Sequence, residues 1–340
     1  MAGGGGLTPW SAGLPNVPAA GGASQETTMR TAAIFPGQGS QYPGMGHRLG
    51  PRSAALREVL DAASEVVGED LWVLCTQGGE EALTDTRRSQ PAIFAVSYAM
   101  FRALADHGWQ PDCVAGHSLG EFTAAVAAGA LAFSDGLRAV AERGRVMAQA
   151  AVQNPGTMLA LLGVRREELS QALAGLRRRG IIAPANYNCP GQVVVALERS
   201  LLEQAKRALA PLAKRVIELP VSGGFHSPLM EEAQREFARF LAQVPIHRPH
   251  VPILLNVRLA VSYDPTEIRD GLVAQMTAPV QWEEAVRRMT ALGVEAFVEV
   301  GPKDVLTGLV RRIAPQCRAL ATDGRDLQEL MSELGREDGS

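Results

Sequence analysis

The 340-residue chain is 46% hydrophobic and 20% charged, with a net charge of −3. That composition suits one large or two ordinary globular domains and gives nucleic acid no electrostatic reason to bind. No apolar run approaches the roughly 18 residues of a membrane span, so no membrane partner is expected. The four cysteines, Cys75, Cys113, Cys189 and Cys317, are far apart and form no C-x-x-C. Disulfides and zinc are therefore not expected, and a reducing cytoplasm fits.

Residues 1–28 are rich in glycine and proline and are expected to form a disordered tail. They lack the basic start and apolar core of a signal peptide, and no arginine precedes Arg30. Met29, directly before the first strand-like run, is an alternative start.

Residues 31–35 read as a short apolar strand. It runs into Pro36-Gly37-Gln38-Gly39-Ser40-Gln41, a loop too rich in glycine for a helix. In an α/β sheet, loops leaving strand C-termini are where ligands bind. Residues 52–107 are mostly helical by period, with Ser89-Gln90-Pro91 as a helix start and Ile93, Val96, Met100 and Leu104 on one buried face. A short apolar run then meets Gly116-His117-Ser118-Leu119-Gly120, followed by a helical pattern over 121–132. Strand, G-x-S-x-G and helix form the context of a nucleophile elbow, although a bare match is equally an ordinary turn. Its glycines let neighbouring backbone approach closely. Ser134-Asp135 reads as an N-cap. The helix after it puts Leu137, Val140, Arg143 and Met147 on one face. An inward arginine needs an anion, either a protein carboxylate or one on a substrate.

Beyond 152 the pattern changes. Strands at 158–164, 181–186, 192–197 and 215–220, with helices at 166–178 and 200–212, run βαββαβ, the split βαβ of a ferredoxin-like unit. Residues 152–220 hold ten Lys/Arg against five Glu, a balance of +5 that suggests an acidic partner. This unit is expected as an insertion into an α/β catalytic domain made of residues 29–151 and 221–340. That domain resumes with the glycine-rich loop 221–228 and a helix at 229–242. A strand at 253–257, a helix at 285–291, a strand at 296–300 and a helix at 304–313 follow.

A nucleophilic serine needs a base. His117 adjoins Ser118, but adjacent side chains on a tight turn diverge. His226 lies in a glycine-flanked loop at a strand end and is the better candidate. The only aspartate between Ser118 and His226 is Asp135, at a helix cap. A Ser–His dyad oriented by a carbonyl or amide is therefore expected, which departs from a hydrolase triad.

Nine segments now stand in order: FPGQGSQ (35–41), SQPAI (89–93), GHSLGE (116–121), RGRVM (143–147), NYNCPGQ (186–192), PVSGGFHSPLM (220–230), NV (256–257), PVQW (279–282) and EVGP (299–302). Over about residues 30–313 the chain resembles malonyl-CoA:acyl carrier protein transacylases, the acyltransferases of fatty acid and polyketide synthesis. The resemblance implies an α/β-hydrolase-like core with an inserted ferredoxin-like subdomain. It implies Ser118 as nucleophile, His226 as general base and acid, and the backbone N–H groups of Gln38 and Leu119 as oxyanion hole. Arg143 would hold the malonyl carboxylate, supported by Gln90, in a pocket with His117, Met147, Phe225 and Asn188. Asn256 lies in the stretch whose backbone carbonyl orients the histidine in the family. The side chains of Leu119 and Phe225 resemble the malonyl-type pattern. No cofactor is implied; the partners would be malonyl-CoA and an acidic acyl carrier protein, for a cytoplasmic monomer. Alternatives are a trans-acting acyltransferase of a polyketide synthase, an acyl-thioester hydrolase and a non-catalytic carrier-binding subunit.

Overall fold

The computed structural model describes residues 30–45 and 54–334; the tail expected at 1–28 lies outside the described residues. Strand β1 (Thr31–Phe35) is followed by helices α1 (Ala54–Val67), α2 (Leu71–Gln77), α3 (Glu80–Thr84) and α4 (Thr86–Asp106). Strand β2 (Cys113–Gly116) turns into α5 (Gly120–Ala127), and α6 (Phe133–Gln153) packs beside it. Next come β3 (Gly156–Leu162), α7 (Arg166–Leu176), β4 (Ile182–Cys189), β5 (Gln192–Glu198), α8 (Leu202–Leu209) and β6 (Arg215–Glu218). The chain continues through α9 (Glu231–Leu241), β7 (Ile253–Leu255), β8 (Ala260–Ser262), α10 (Pro265–Ala274) and α11 (Trp282–Ala291). It closes with β9 (Ala296–Glu299), α12 (Val305–Ile313), β10 (Arg318–Ala321) and α13 (Leu327–Leu334).

The strands form two sheets. The larger has the order β10-β9-β1-β2-β7-β8, parallel except for the β7–β8 hairpin. Its central strands read AAIF and CVAG without alternation because both faces are covered, as a parallel sheet requires. The smaller sheet, β4-β5-β3-β6, is antiparallel and is built from βαββαβ in sequence. The molecule is an α/β protein with a mostly parallel core sheet and a ferredoxin-like antiparallel one.

Main-chain pairing ties the small sheet to the rest. The Val280 N–H donates to the Ala185 carbonyl at 2.8 Å, and the Tyr187 N–H donates to the Val280 carbonyl at 2.8 Å. The Asn256 side chain steadies that strip by donating to the Pro279 carbonyl and accepting from the Gln281 N–H. Arg166 reaches across to Glu283.

Several boundaries differ from the sequence reading. Helix α4 begins at Thr86, a turn before Ser89-Gln90-Pro91, because the Asp85 side chain caps it by accepting from the Arg87 N–H. Pro91 thus falls inside the helix. Helix α6 starts at Phe133, so Asp135 lies in its first turn, not at the cap. Helix α5 stops at Ala127, and Gly129 turns the chain with φ of 78°. Elements β8, α10, β10 and α13 went unread. The missed signal for α10 is Asp264-Pro265, where Asp264 caps by accepting from the N–H groups of Thr266 and Glu267.

Candidate active site

The site forms where β2 turns into α5. Ser118 has φ of 55°, the left-handed conformation of a sharp strand-to-helix turn. The turn needs its neighbours small. A Cβ on Gly120 would lie 2.0 Å from the Phe35 carbonyl oxygen, and one on Gly37 would lie 2.4 Å from the His117 carbonyl oxygen. The loop after β1 can therefore press against the elbow.

Ser118 Oγ lies 2.7 Å from His226 Nε2. His226 arrives on the loop before α9, also at positive φ (57°), and its Nδ1 lies 2.7 Å from the Gln275 carbonyl oxygen. A carbonyl only accepts, so Nδ1 carries the proton and Nε2 offers its lone pair to the serine hydroxyl. Burial, with the Arg143 charge behind it, pushes the His226 pKa down to about 3. The imidazole is neutral at physiological pH.

Arg143, on α6, is 1% exposed. Its Nη1 donates to Gln90 Oε1 at 2.8 Å, and its Nη2 donates to Ser118 Oγ and Gln275 Oε1, both at 3.0 Å. Its Nε meets no acceptor among the described residues. The Phe122 ring lies 5.7 Å from its Cζ. Burial lowers the Arg143 pKa and raises that of Glu121, while each charge draws the other back toward its ionised form. Gln275 joins these groups: its Nε2 donates to Glu121 Oε2 at 2.7 Å and to the Ser118 carbonyl at 3.2 Å.

A cavity of about 370 Å³ opens in front of the pair. Ser118, His226, Gln38, His117, Met147 and Phe225 line it; Arg143 and Gln90 lie behind that wall. His117 Nε2 is 3.0 Å from Asn188 Oδ1, and burial lowers its pKa. The Gln90 amide also reaches Met147 Sδ at 3.5 Å. Among the described residues the backbone N–H groups of Gln38 and Leu119 have no acceptor, leaving two donors beside the serine.

Two placements differ from the sequence reading. Asn256 does not orient His226. Its N–H donates to Glu121 Oε1 and its side chain holds residues 279–281; the carbonyl facing Nδ1 is that of Gln275. The reason is that after Leu255 the chain turns back along the sheet edge as β8, and only the residue following α10 brings a carbonyl to the histidine. The Leu119 side chain does not shape the cavity. It is fully buried in the main core, at the cap position just before α5, and takes no part in the cavity lining. Sequence reasoning missed Gln275, Glu121 and Asn186, which lines the cavity. Glu121 and Asn186 stood inside quoted motifs, whereas Gln275 followed an unread helix.

A serine–histidine pair at a strand-to-helix elbow, on an α/β core, defines the class: a serine acyl-transfer enzyme. Residues 33–333 match the family model described as "Acyl transferase domain". The malonyl CoA-acyl carrier protein transacylase of Escherichia coli strain K12 is 40% identical over 292 residues, covering 85% of this chain and 94% of that protein. An acyl carrier protein S-malonyltransferase from Vibrio cholerae superposes with a TM-score of 0.85 at 39% identity, covering 89% of this chain and 99% of the other. A malonyl-transacylase solved in complex with a type II polyketide synthase acyl-carrier protein gives a TM-score of 0.87 at 37% identity, covering 90% and 100%. The chain belongs to the malonyl CoA-acyl carrier protein transacylase family.

Proposed function

We propose that this protein transfers a malonyl group from malonyl-CoA to the phosphopantetheine thiol of an acyl carrier protein, through a malonyl ester on Ser118. The observation that carries this reading is the relay from Ser118 through His226 to the Gln275 carbonyl, with a buried arginine touching the serine oxygen. His226 Nε2 takes the serine proton as Oγ attacks the thioester carbonyl, then gives it to the sulfur as the C–S bond breaks. The N–H groups of Gln38 and Leu119 receive the oxyanion. The carrier thiol then repeats these steps in reverse. A thioester exchanged through an ester is nearly isoenergetic, so the transfer requires no nucleotide hydrolysis and, in this reading, no cofactor.

Arg143 selects the acyl group. Its orphaned Nε and forked Nη groups suit a carboxylate, which would displace the serine contact as it binds. Gln90 holds it, while His117, Met147, Phe225 and Asn188 shape and support the pocket wall. Residues 152–220 act as a separate small subdomain beside the cleft, and its basic excess receives an acidic carrier protein. The protein works as a monomer in the cytoplasm; among the described residues no helix is long and apolar enough to cross a membrane.

Intact-mass measurement after mixing with malonyl-CoA tests the reading. Wild type gains one malonyl group and Ser118→Ala gains none. Equal labelling of both proteins contradicts the mechanism. Hydrolysis of malonyl-CoA outpacing transfer to saturating carrier protein would favour a hydrolase.

A further inference from the structure

Glu121 takes no part in the transfer steps above, yet its carboxylate is buried one layer behind the dyad, at 1% exposure. Its Oε1 accepts the Asn256 N–H at 2.8 Å and its Oε2 accepts the Gln275 Nε2–H at 2.7 Å. Burial raises the Glu121 pKa, but the Asn256 N–H and the Arg143 charge favour the carboxylate. As a carboxylate it only accepts, as does the Ser118 carbonyl, so the Gln275 amide turns its nitrogen toward both, at 2.7 and 3.2 Å. Its oxygen must then face the opposite way, where Arg143 Nη2 donates to it at 3.0 Å. The main-chain carbonyl of the same glutamine separately receives His226 Nδ1.

We propose that Glu121 is a positioning residue for acyl-group selection: with the Ser118 carbonyl it anchors the Gln275 amide nitrogen, and through that amide holds Arg143 where it meets the substrate carboxylate. This rests on the acyl-transfer reading above. In Glu121→Gln the Asn256 N–H still claims the one side-chain oxygen, so the new amide nitrogen faces that of Gln275. Two N–H groups cannot share a hydrogen bond. The Gln275 amide must either turn over, presenting N–H groups to the guanidinium, or draw back from residue 121 with its nitrogen still toward the Ser118 carbonyl; either way its oxygen leaves Arg143 Nη2. The Gln275 main chain is not displaced, so His226 keeps its acceptor. Selection of the charged acyl group should therefore suffer more than reactivity of the serine.

The test is the rate of Ser118 labelling by malonyl-CoA and by acetyl-CoA, followed by intact mass. It compares wild type with Glu121→Gln, Gln275→Met and the exchanged pair Glu121→Gln/Gln275→Glu. Glu121→Gln should lower the malonyl-to-acetyl ratio about tenfold, chiefly through a weaker dependence on malonyl-CoA concentration. Gln275→Met keeps the main-chain carbonyl and should lose the ratio to a similar degree. In the exchanged pair the carboxylate at 275 accepts from both neighbours, and the ratio should recover by about threefold or more over Glu121→Gln. A wild-type ratio in either single variant, or an exchanged pair no better than Glu121→Gln, overturns the proposal. Should Glu121→Gln not fold, Gln275→Met still decides. No malonyl on wild-type Ser118 removes the acyl-transfer reading itself, a result separable from a labelled wild type whose variants keep its ratio.

Discussion

His226 carries its charge state in its surroundings. A free imidazole titrates near 6.5, but burial and Arg143 hold this one down to about 3. The base is thus already neutral well into the acid range. Acetylation of Ser118 by acetyl-CoA, which does not draw on the carboxylate clamp, should retain its pH 7.5 rate to within about threefold at pH 5; a rate that halves near pH 6.5 would show an ordinary imidazole. The sign for stability follows from the same shift. Below pH 6.5 the unfolded chain binds a proton at this residue and the folded protein does not. Folding stability is therefore lost as pH falls from about 6.5 toward 3, by about 1.4 kcal/mol per pH unit. Urea unfolding of wild type and His226→Ala at pH 7 and pH 5 measures the difference. Arg143 invites a second experiment. Arg143→Ala should cut the malonyl-to-acetyl labelling ratio by roughly 100-fold, because a charge-assisted fork is lost on one substrate only. Unchanged selectivity would make the arginine structural.

At the level of elements, the elbow depends on close backbone approach more than on helix propensity. Gly120→Ala places a methyl carbon 2.0 Å from the Phe35 carbonyl oxygen, with backbone on both sides and no side chain to move away. It should cost about 3 kcal/mol or more in urea unfolding. Gly175→Ala in α7, where nothing lies within 4 Å of the added carbon, should instead stabilise by up to about 1 kcal/mol. Much of this scale was legible beforehand. The elbow, the inward face of α6 and the βαββαβ order all follow from glycine placement and hydrophobic period. The errors came from local caps. Asp85 began α4 a turn early, and Asp264-Pro265 opened a helix whose weakly periodic interior had concealed it. Strands β8 and β10 have three and four residues, too short for alternation to register.

Across the whole molecule, ion pairs take up only part of the basic excess of residues 152–220. Arg165, Arg199 and Lys206 meet carboxylates within residues 152–220, and Arg166 meets Glu283 on α11. Lys214 and Arg215 are exposed and lack such a carboxylate among the described residues. Lys214 precedes and Arg215 opens β6, which runs on into the cavity-lining stretch Leu219, Pro220 and Val221. Reversing both, Lys214→Glu/Arg215→Glu, should slow malonyl transfer to an acidic carrier protein about tenfold at low salt and flatten its salt dependence. A rate insensitive to the reversal would place carrier docking elsewhere.

The amino-acid sequence by itself determined the fold class, the serine, its histidine and the inward arginine. Each announces itself locally, through glycines that permit a turn, a helical period, or a charge that must find a partner. What it left open was which distant atoms complete the site. The carbonyl facing His226 belongs to Gln275, 49 residues further along, and any residue type can offer a carbonyl. The same glutamine joins Glu121 to Arg143 through an amide whose orientation depends on neighbours 154 and 132 residues away. Main-chain groups and amide orientations leave no mark in a residue pattern. Only the packing of α10 against α5 and the loop bearing His226 brings them into register.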